Sequence, residues 1–434
     1  PSAGANKGAT LKPKEQARSV HAHLTAGAKT LSRMRHPSLL RVVEVLPDTS
    51  SHIAVVTEPI FASLANALKR YDGPAWQRPD EAKSGSGEVS IPQGPPAELR
   101  EFSMSEFEVV HGMHQIAEAL RFLHDEAKIV HGNVCPSSVV LTAGGDWKLC
   151  GFGFAQQGIG DGDFAKATMF TQAACEEDNA ATRQHAPPRV PLCPTINYAA
   201  PEICNVSVTR RETSHASDVF SLACLLWELT VGMQSQDGSA VPLLQGRDGR
   251  VSTHRYKLSQ LNPDQVILAA GTALPNALRE TLHAMLQIDP RRRPNMRQVC
   301  VCPFFDSGSV KVLKIVSSLT AGETTAARQA QILAHLPKQL AQFPARVIRD
   351  RVLPTLVTMC AARSQTTPFV LPSLLFSARK LSRGEFDRTL APVFRSLVDD
   401  LPKMAAQCTL ILVENVQILL DQGSRIFTQN VVVP

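Results

Sequence analysis

The sequence lacks any long run of apolar residues. A helix needs about 18 or more consecutive apolar residues to cross a bilayer, and no segment of the 434 residues approaches that length. Hydrophobic residues make up 44% and charged residues 19% of the chain, and the mean hydropathy is −0.06. This composition predicts a water-soluble globular protein of two to three domains, without a membrane span.

A strong charge excess is also missing, since the net charge is only +6. The one tight basic cluster consists of Arg291, Arg292, Arg293 and Arg297, and no aromatic residue is interleaved with it. Nucleic-acid sites usually combine such a cluster with aromatic side chains that stack on bases. We therefore expect no nucleic-acid partner. A solvated basic face is the favoured interpretation, with attraction to acidic lipid headgroups as the alternative.

The ten cysteines lack the spacing of a metal site. Cys300 and Cys302 form a lone pair without a second pair or a nearby His partner, so no structural zinc is expected. Free, buried thiols in a reducing compartment are the simpler interpretation. The chain begins at Pro1 and looks cut at both ends, so targeting segments could lie outside it.

Periodicity divides the first half of the chain into helix, strands and loops. A helix is predicted over residues 14–35, followed by short strands at 39–43 and 53–57. Residues 74–100 are rich in Pro, Gly and Ser, and residues 156–194 are polar and long for a connection. Both segments are therefore predicted to be inserted loops.

Between these loops the pattern predicts a helix and then a β-hairpin. One helix face would carry Met113, Ile116, Ala117, Leu120 and Leu123. Two β-branched or apolar runs, residues 138–141 and 147–150, flank a turn that ends at Asp146. Two further helices are predicted over residues 217–231 and 276–286.

Beyond Phe305 the pattern is almost purely helical, and a proline-containing motif recurs. Pro354, Pro392 and Pro434 are separated by 38 and 42 residues, and a related motif surrounds Pro372. Repeats near 40 residues are typical of HEAT-type helical solenoids. An unrelated helical cap with fortuitous prolines is the alternative interpretation.

Five motifs occur in the order and at the separations found in protein kinases. The segment 131–138 stands at the catalytic loop, 151–153 at the metal-binding D-F-G, and 200–202 at A-P-E. The segment 217–222 resembles the helix that supports the catalytic loop, and residues 293–294 resemble the arginine that pairs with the A-P-E glutamate. Each motif is weak by itself, but the ordered set strongly indicates a kinase-like fold.

The chemistry that these positions should carry is missing. Phosphoryl transfer needs magnesium at the phosphates and a carboxylate that orients the attacking hydroxyl. The base position is Asn133, an amide that accepts no proton, and the metal positions are Gly151 and the neutral Ser138. Cys135 replaces the loop lysine, and Gly27 stands where a helix glutamate would clamp the ATP-binding lysine. We therefore expect no catalytic residue, no metal and no required cofactor.

Residues that hold the fold are retained where catalytic residues are lost. Glu202 and Arg293 are predicted to form a buried ion pair, and Asp218 is expected to accept backbone N–H groups of the catalytic-loop remnant. His131 and Phe152 are expected to pack in the core. The complete set of predicted structural residues is His131, Phe152, Gly153, Glu202, Asp218 and Arg293.

Longer segments resemble the SCY-like pseudokinase family, most closely its member associated with clathrin-coated vesicles. The resemblance is carried by residues 34–40, 57–66 and 130–133. It continues through residues 303–306, 344–348, 351–354 and 368–372 and covers residues 29 to 395. Two positions depart from the family pattern: Ser138 stands where relatives often have an asparagine, and Gly153 follows Phe152. Both departures argue against residual nucleotide chemistry.

The resemblance implies an α+β, two-lobed kinase-like fold with a truncated small lobe, followed by an all-α HEAT-type solenoid. The expected boundaries are 1–58 for the partial small lobe, 59–306 for the large lobe and 307–434 for the repeats. It also implies a cytosolic scaffold, peripheral to Golgi, endosomal or clathrin-coated vesicle membranes, with clathrin and adaptor complexes as partners. In that family the clathrin-binding segments lie in a tail beyond the repeats.

Two other functions remain as alternatives. One is a divergent Ser/Thr kinase that binds ATP and retains weak phosphotransfer, which would require a substitute carboxylate near Gly151 or Asn133. The other is a switch in which ATP binds without magnesium-dependent catalysis. The glycine-rich loop and the lysine strand would precede the first helix, and neither is found in the chain.

Overall fold

A computed structural model describes residues 13–46, 53–70, 96–158, 165–166, 194–204, 212–234, 240–244, 251–306, 308–320, 325–362 and 364–432. The chain divides into two compact units. The first contains residues 1–104, 109–142 and 146–305, and the second contains residues 105–108, 143–145 and 306–434. None of the helices that the structure describes is long and apolar enough to cross a membrane.

The first unit combines short strands with helices. Its strands are β1 (Val42–Val45), β2 (Val55–Thr57), β3 (Ala62–Ser63), β4 (Ile129–Val130), β5 (Val139–Leu141), β6 (Trp147–Leu149), β7 (Gln156–Gln157), β8 (Ala165–Lys166) and β9 (Glu212–Thr213). Its helices are α1 (Pro13–Arg33), α2 (Leu64–Ala67), α3 (Ala97–Glu101), α4 (Glu106–Phe122, which begins in the second unit), α5 (Pro201–Cys204), α6 (His215–Thr230), α7 (Val251–Ser259), α8 (Pro263–Ala269), α9 (Asn276–Met285) and α10 (Met296–Cys300).

The predicted hairpin is confirmed. β5 and β6 pair antiparallel with Val139 opposite Leu149 and Leu141 opposite Trp147, and β3 adds to the other edge of β5. The helix before it is confirmed as well, because the predicted apolar face of α4 is completely buried. The segment 131–138 connects this region to the hairpin, and His131, Cys135 and Ser138 within it are buried.

One predicted strand is displaced along the chain. The pattern predicted a strand over residues 39–43, whereas β1 occupies Val42–Val45 and pairs with β2. Leu39 is buried and instead makes a single parallel bridge to Leu149 on the edge of the hairpin. Its apolar character therefore reflects packing against β6 rather than membership of β1.

The two predicted loops contain more regular structure than expected. Residues 97–101 form the short helix α3, while residues 71–95 lie outside the described part of the chain. Within the second loop, β7 pairs with β4 and β8 pairs with β9, and residues 159–164 and 167–193 are not described. These strands escaped prediction because each has two residues, without apolar alternation, and each pairs with a distant segment.

The described residues of the second unit form helices joined by turns, and no strand. Its helices are α11 (Gly308–Ser318), α12 (Ala326–Leu340), α13 (Ala345–Val347), α14 (Leu353–Ala361), α15 (Thr367–Ala378), α16 (Arg383–Thr389), α17 (Ala391–Asp400), α18 (Ala406–Glu414), α19 (Val416–Gln422) and α20 (Arg425–Phe427). The α+β kinase-like fold with a following helical region is thereby confirmed.

The recurring prolines occupy two kinds of position in this unit. Pro354 and Pro392 are the second residues of α14 and α17, each just after a preceding helical segment ends, at Val352 and at Thr389. Pro372 lies inside α15, so the motif around it is not equivalent to the other two. Pro434 lies outside the described residues.

Candidate functional site

The catalytic-loop remnant is held by His131, which is fully buried. Its Nε2 lies 2.8 Å from the carbonyl oxygen of Cys150, and its ring meets the edge of Phe152 with centroids 4.8 Å apart. Burial lowers the pKa of His131, so the imidazole is neutral near pH 7. A neutral histidine with its Nε2 directed at a backbone carbonyl joins the loop to the hairpin.

The residue after it has no room for a side chain. Gly132 has a φ of +75°, and a Cβ built on it would lie 2.7 Å from the carbonyl oxygen of Phe154. A kinase has arginine at this position of its catalytic loop. Here the space of that arginine is occupied by the backbone of the segment that begins at Gly151.

The amide at the base position forms a structural hydrogen bond. Asn133 Oδ1 accepts the backbone N–H of Thr195 at 2.7 Å, across 62 residues of sequence. The neighbouring thiol has a similar role: Thr195 donates its hydroxyl to Cys135 Sγ at 3.3 Å, and Ser137 Oγ lies 3.1 Å from the same sulfur. The loop is therefore tied to the chain just before the A-P-E motif through side chains that accept no proton and carry no positive charge.

The residues at the two metal-binding positions, Ser138 and Gly151, also make close contacts within the local structure. Ser138 Oγ donates to the carbonyl of Cys135 at 2.9 Å and accepts the amide of the same residue at 3.0 Å. Gly151 has a φ of +78°, and a Cβ there would lie 3.1 Å from Ser138 Cβ. Burial raises the pKa of the adjacent Cys150 to about 12, so its thiol is also neutral. No carboxylate replaces the missing ligands at these positions.

The carboxylate of Asp146, on the hairpin, is hydrogen-bonded to α4. Asp146 Oδ1 accepts a hydrogen bond from Gln115 Nε2 at 2.6 Å, on α4. Within the described ranges, no group of three or more His, Cys, Asp or Glu side chains is arranged to hold a metal ion. Because magnesium prefers carboxylate oxygens, the residues at 133, 138 and 151 do not fit a magnesium–nucleotide complex.

The helix α1 packs directly on the turn that replaces D-F-G. A Cβ on Gly27 would lie 2.8 Å from the carbonyl carbon of Phe152 and 2.9 Å from the amide nitrogen of Gly153. Farther along the same face, the His23 ring meets Phe154 edge-on, with centroids 5.3 Å apart. The position at which a kinase has its clamping glutamate is therefore a glycine contact between helix and turn.

This contact predicts that alanine at position 27 destabilises the protein, the opposite of its usual effect within a helix. In an open helix alanine is favoured over glycine by about 1 kcal/mol. We expect Gly27→Ala instead to lower the free energy of unfolding by about 1–3 kcal/mol, because its methyl group would overlap the Phe152 backbone. The matched control is Ala26→Gly on the exposed side of α1, which should cost the ordinary 1 kcal/mol or so. Chemical denaturation followed by tryptophan fluorescence measures both, and a stabilised Gly27→Ala variant would contradict the tight contact.

Asp218 accepts hydrogen bonds from the backbone of the catalytic-loop remnant. This carboxylate is buried on α6 and accepts the amides of His131 at 2.7 Å and Gly132 at 2.8 Å. His124 Nε2 lies 2.9 Å from the same group. Burial raises the pKa of Asp218, but the hydrogen bond and charge of His124, with further help from His131 and Gly132, bring that pKa below its ordinary value. The sequence indicated the backbone bonds, but nothing in it pointed to His124.

The predicted pair of Glu202 and Arg293 forms with two parallel hydrogen bonds, of 2.8 and 2.9 Å. The Arg293 side chain is fully buried and also donates to the carbonyls of Ala216, Gln287 and Ile288. All five guanidinium hydrogen bonds therefore serve the large lobe, which is a structural role.

Arg70, Tyr198 and Glu228 form a second network of hydrogen bonds, which no motif in the sequence indicated. Arg70 donates to the Tyr198 hydroxyl at 2.8 Å and to the Ala240 carbonyl at 2.9 Å, and it forms an ion pair with Glu228. Tyr198 in turn donates to Glu228, and burial raises the pKa of both Tyr198 and Glu228. The three side chains come from distant segments, so no local spacing could reveal them.

Comparison with known proteins agrees with this geometry. Residues 7–305 match the family model of the protein kinase domain. SCY1-like protein 2 of Mus musculus and of Homo sapiens are each 29% identical over 419 residues, covering 95% of this chain and 39% of the relative. The probable inactive serine/threonine-protein kinase scy1 of Dictyostelium discoideum is 23% identical over 368 residues, covering 84% of this chain and 35% of the relative.

The chain thus spans about two fifths of the length of the curated relatives that it matches. Its match to the kinase domain covers well over half of its residues, and the relatives confirm the resemblance drawn from the motifs. The chain belongs to the protein kinase domain family, within its SCY-like pseudokinase group.

Proposed function

We propose that this protein is a catalytically impaired kinase-like scaffold that acts by binding other proteins. The observation that carries the proposal is the commitment of the former catalytic positions to internal contacts. Asn133 holds Thr195, Ser138 closes its own loop, and Gly151 has no side chain to offer. One relative is named a probable inactive kinase, which supports the same conclusion.

The proposed scaffold needs no cofactor and no metal. Magnesium would supply charge neutralisation at the phosphates of a nucleotide, but the residues at its position are neutral or lack a side chain. The binding of ATP without magnesium-dependent catalysis remains compatible with the proposal, because that binding does not require Gly151 or Ser138 to act as ligands.

We propose further that the second unit begins a HEAT-type solenoid that offers a protein-binding surface. Support comes from the absence of strands among its described residues and from Pro354 and Pro392, which are the second residues of α14 and α17 and lie 38 residues apart. A single buried core runs through the helices of the second unit and includes Leu336 on α12, Leu374 on α15 and Phe394 on α17. Stacked helices around one continuous core are typical of repeat proteins.

The cellular role that we propose is that of a cytosolic adaptor in clathrin-dependent traffic between the Golgi and endosomes. Its support is the resemblance to SCY-like proteins, with clathrin and adaptor complexes as partners and peripheral association with membranes. Co-sedimentation of the full-length protein with preassembled clathrin cages tests it, with this chain alone as the comparison. We expect the full-length protein to sediment with cages, and its remaining in the supernatant would contradict the role.

Restoring the two missing carboxylates should not create a kinase. We expect the double variant Asn133→Asp/Gly151→Asp to transfer no measurable phosphate, because Ser138, Cys135 and Gly27 remain deficient and a carboxylate at position 133 would still be engaged as the acceptor of the Thr195 amide. Aspartate tolerates the left-handed backbone at position 151 better than most residues do, but its Cβ would lie 3.1 Å from Ser138 Cβ, so circular dichroism of the variant accompanies the assay. A radiolabelled ATP assay with general protein substrates measures the outcome. Phosphotransfer by the double variant, absent from the unsubstituted protein, would contradict the proposal.

A further inference from the structure

A cavity of about 240 Å³ lies in the first unit, outside the former catalytic site. Its lining includes the amino-terminal end of α6 (Ser214 to Ala216), His124 with Asp125, and the residues from Pro290 to Met296 except Arg292. Arg291 and Asn295 are exposed members of this lining, so the cavity reaches the solvent. Since one liquid water occupies about 30 Å³, the cavity has room for an ion with part of its attached group.

The end of α6 directs hydrogen-bond donors at this space. The helix has 16 residues, and the first amides of a helix have no intrahelical acceptor, so they attract anions. Ser214, its N-cap residue, lines the cavity and is only 4% exposed. Its hydroxyl lies near the Ser217 amide in a capping-box arrangement, but that amide donates to the Ser214 carbonyl oxygen at 3.0 Å, and the hydroxyl itself has no hydrogen-bond partner among the described residues. A buried hydroxyl without a partner is costly unless a ligand or solvent completes it.

The charges around the cavity also favour an anion. Asp125, the only carboxylate in the lining, is paired with Arg297 at 2.7 Å. Asp218, on the first turn of α6, is paired with His124 and two backbone amides, and Glu202 is paired with Arg293. Arg291 makes no side-chain hydrogen bond or ion pair with the residues that the structure describes. Its guanidinium is therefore the uncompensated charge at the mouth of the cavity.

We propose that this cavity is an anion site that takes a phosphate group, held by the first amides of α6, the Ser214 hydroxyl and the Arg291 guanidinium. The combination of backbone amides, hydroxyl and guanidinium is the set of donors that matches phosphate oxygens. The phosphate could be inorganic or belong to a small phosphomonoester. The site is independent of the former nucleotide position and of the proposed scaffold function.

Titration calorimetry at constant ionic strength tests the site, with inorganic phosphate and methyl phosphate as separate probes. We expect saturable binding that weakens at least tenfold in Arg291→Gln and in Ser214→Ala. The control Arg292→Gln removes a neighbouring exposed arginine outside the lining and should retain the affinity within about twofold. Preference for methyl phosphate over the inorganic ion would identify a phosphomonoester site, and the reverse a site for the free ion.

Three results would overturn the proposal. They are the absence of saturable heat with both probes, equal loss of affinity in the Arg292 control, and unchanged affinity in both cavity variants. Circular dichroism of each variant separates loss of binding from loss of folding. Ser214→Ala should preserve the helix because the Ser217 hydroxyl still accepts the amide of residue 214, and Arg291→Gln changes an exposed side chain.

Discussion

Replacing Arg293 by methionine should lower the free energy of unfolding of the first unit by about 3–5 kcal/mol. The substitution leaves Glu202 without its partner in a largely buried site, where an unpaired carboxylate is poorly solvated. It also removes three hydrogen bonds to backbone carbonyls, those of Gln287 and Ile288 before α10 and that of Ala216 on α6. Methionine is similar in length to the aliphatic part of arginine, so the loss reports the charge and hydrogen bonds more than a cavity.

The matched control for this prediction is Arg292→Met, one residue earlier and exposed. We expect it to change stability by no more than about 0.5 kcal/mol. All three tryptophans, Trp76, Trp147 and Trp227, lie in the sequence range of the first unit, so their fluorescence follows its unfolding separately. Equal effects of the two substitutions would show that the Glu202–Arg293 pair does not hold the large lobe.

Replacing Asp218 by alanine should destabilise the same unit by at least about 3 kcal/mol. The substitution leaves the amides of His131 and Gly132 and the His124 ring without their acceptor, and each buried orphan donor costs about 1–3 kcal/mol. Asp264→Ala is the control, because that carboxylate is exposed and pairs only with His283. Hydrogen exchange of the His131 and Gly132 amides gives a local readout, and unchanged protection in Asp218→Ala would contradict the proposed tie.

The pH dependence of stability provides a related test of this carboxylate. The folded-state pKa of Asp218 lies below its ordinary value, so its ionised form contributes stability above the unfolded pKa of about 3.9. That contribution is lost as the pH falls from there through the lower folded pKa. We therefore expect Asp218→Ala to show a shallower loss of stability below about pH 4 than the unsubstituted protein.

The fold could be predicted further from the sequence than the site could. The hairpin at 139–149 and the buried face of α4 follow from local periodicity, which is why both were located correctly. Leu39 was assigned to the wrong element because its apolar character comes from a contact with Leu149, 110 residues away. Local patterns record that a residue is buried, but they do not record what it is buried against.

At the site, the sequence showed which groups were missing but not what replaced them. Asn133 was recognised as unable to act as a base, whereas its bond to Thr195 spans a segment with no periodic signal. Gly27 was found by counting from a His-Pro pair, but its contact with the Phe152 backbone depends on how α1 packs. At Gly27 the missing glutamate coincides with a close backbone contact that any larger side chain would disturb.

Glycine occupies three positions at which an active kinase has a functional side chain. With glycine at 27, 132 and 151, the backbone of the turn approaches α1 and the loop closely. A clamping glutamate, an arginine and a metal-binding aspartate would each require that space. The close contacts at these glycines therefore stabilise the kinase-like core by packing and hydrogen bonding.

Thermal unfolding of the full-length protein with ATP, in the presence and absence of magnesium, tests this account most directly. A ligand at a hundred times its dissociation constant stabilises a protein by about 2.7 kcal/mol, which corresponds to a shift of a degree or more for a unit of this size. We predict that magnesium adds no shift to that of ATP alone, because Gly151, Ser138 and Asn133 provide no carboxylate. A magnesium-dependent shift would contradict the account and would return the protein to the active kinases.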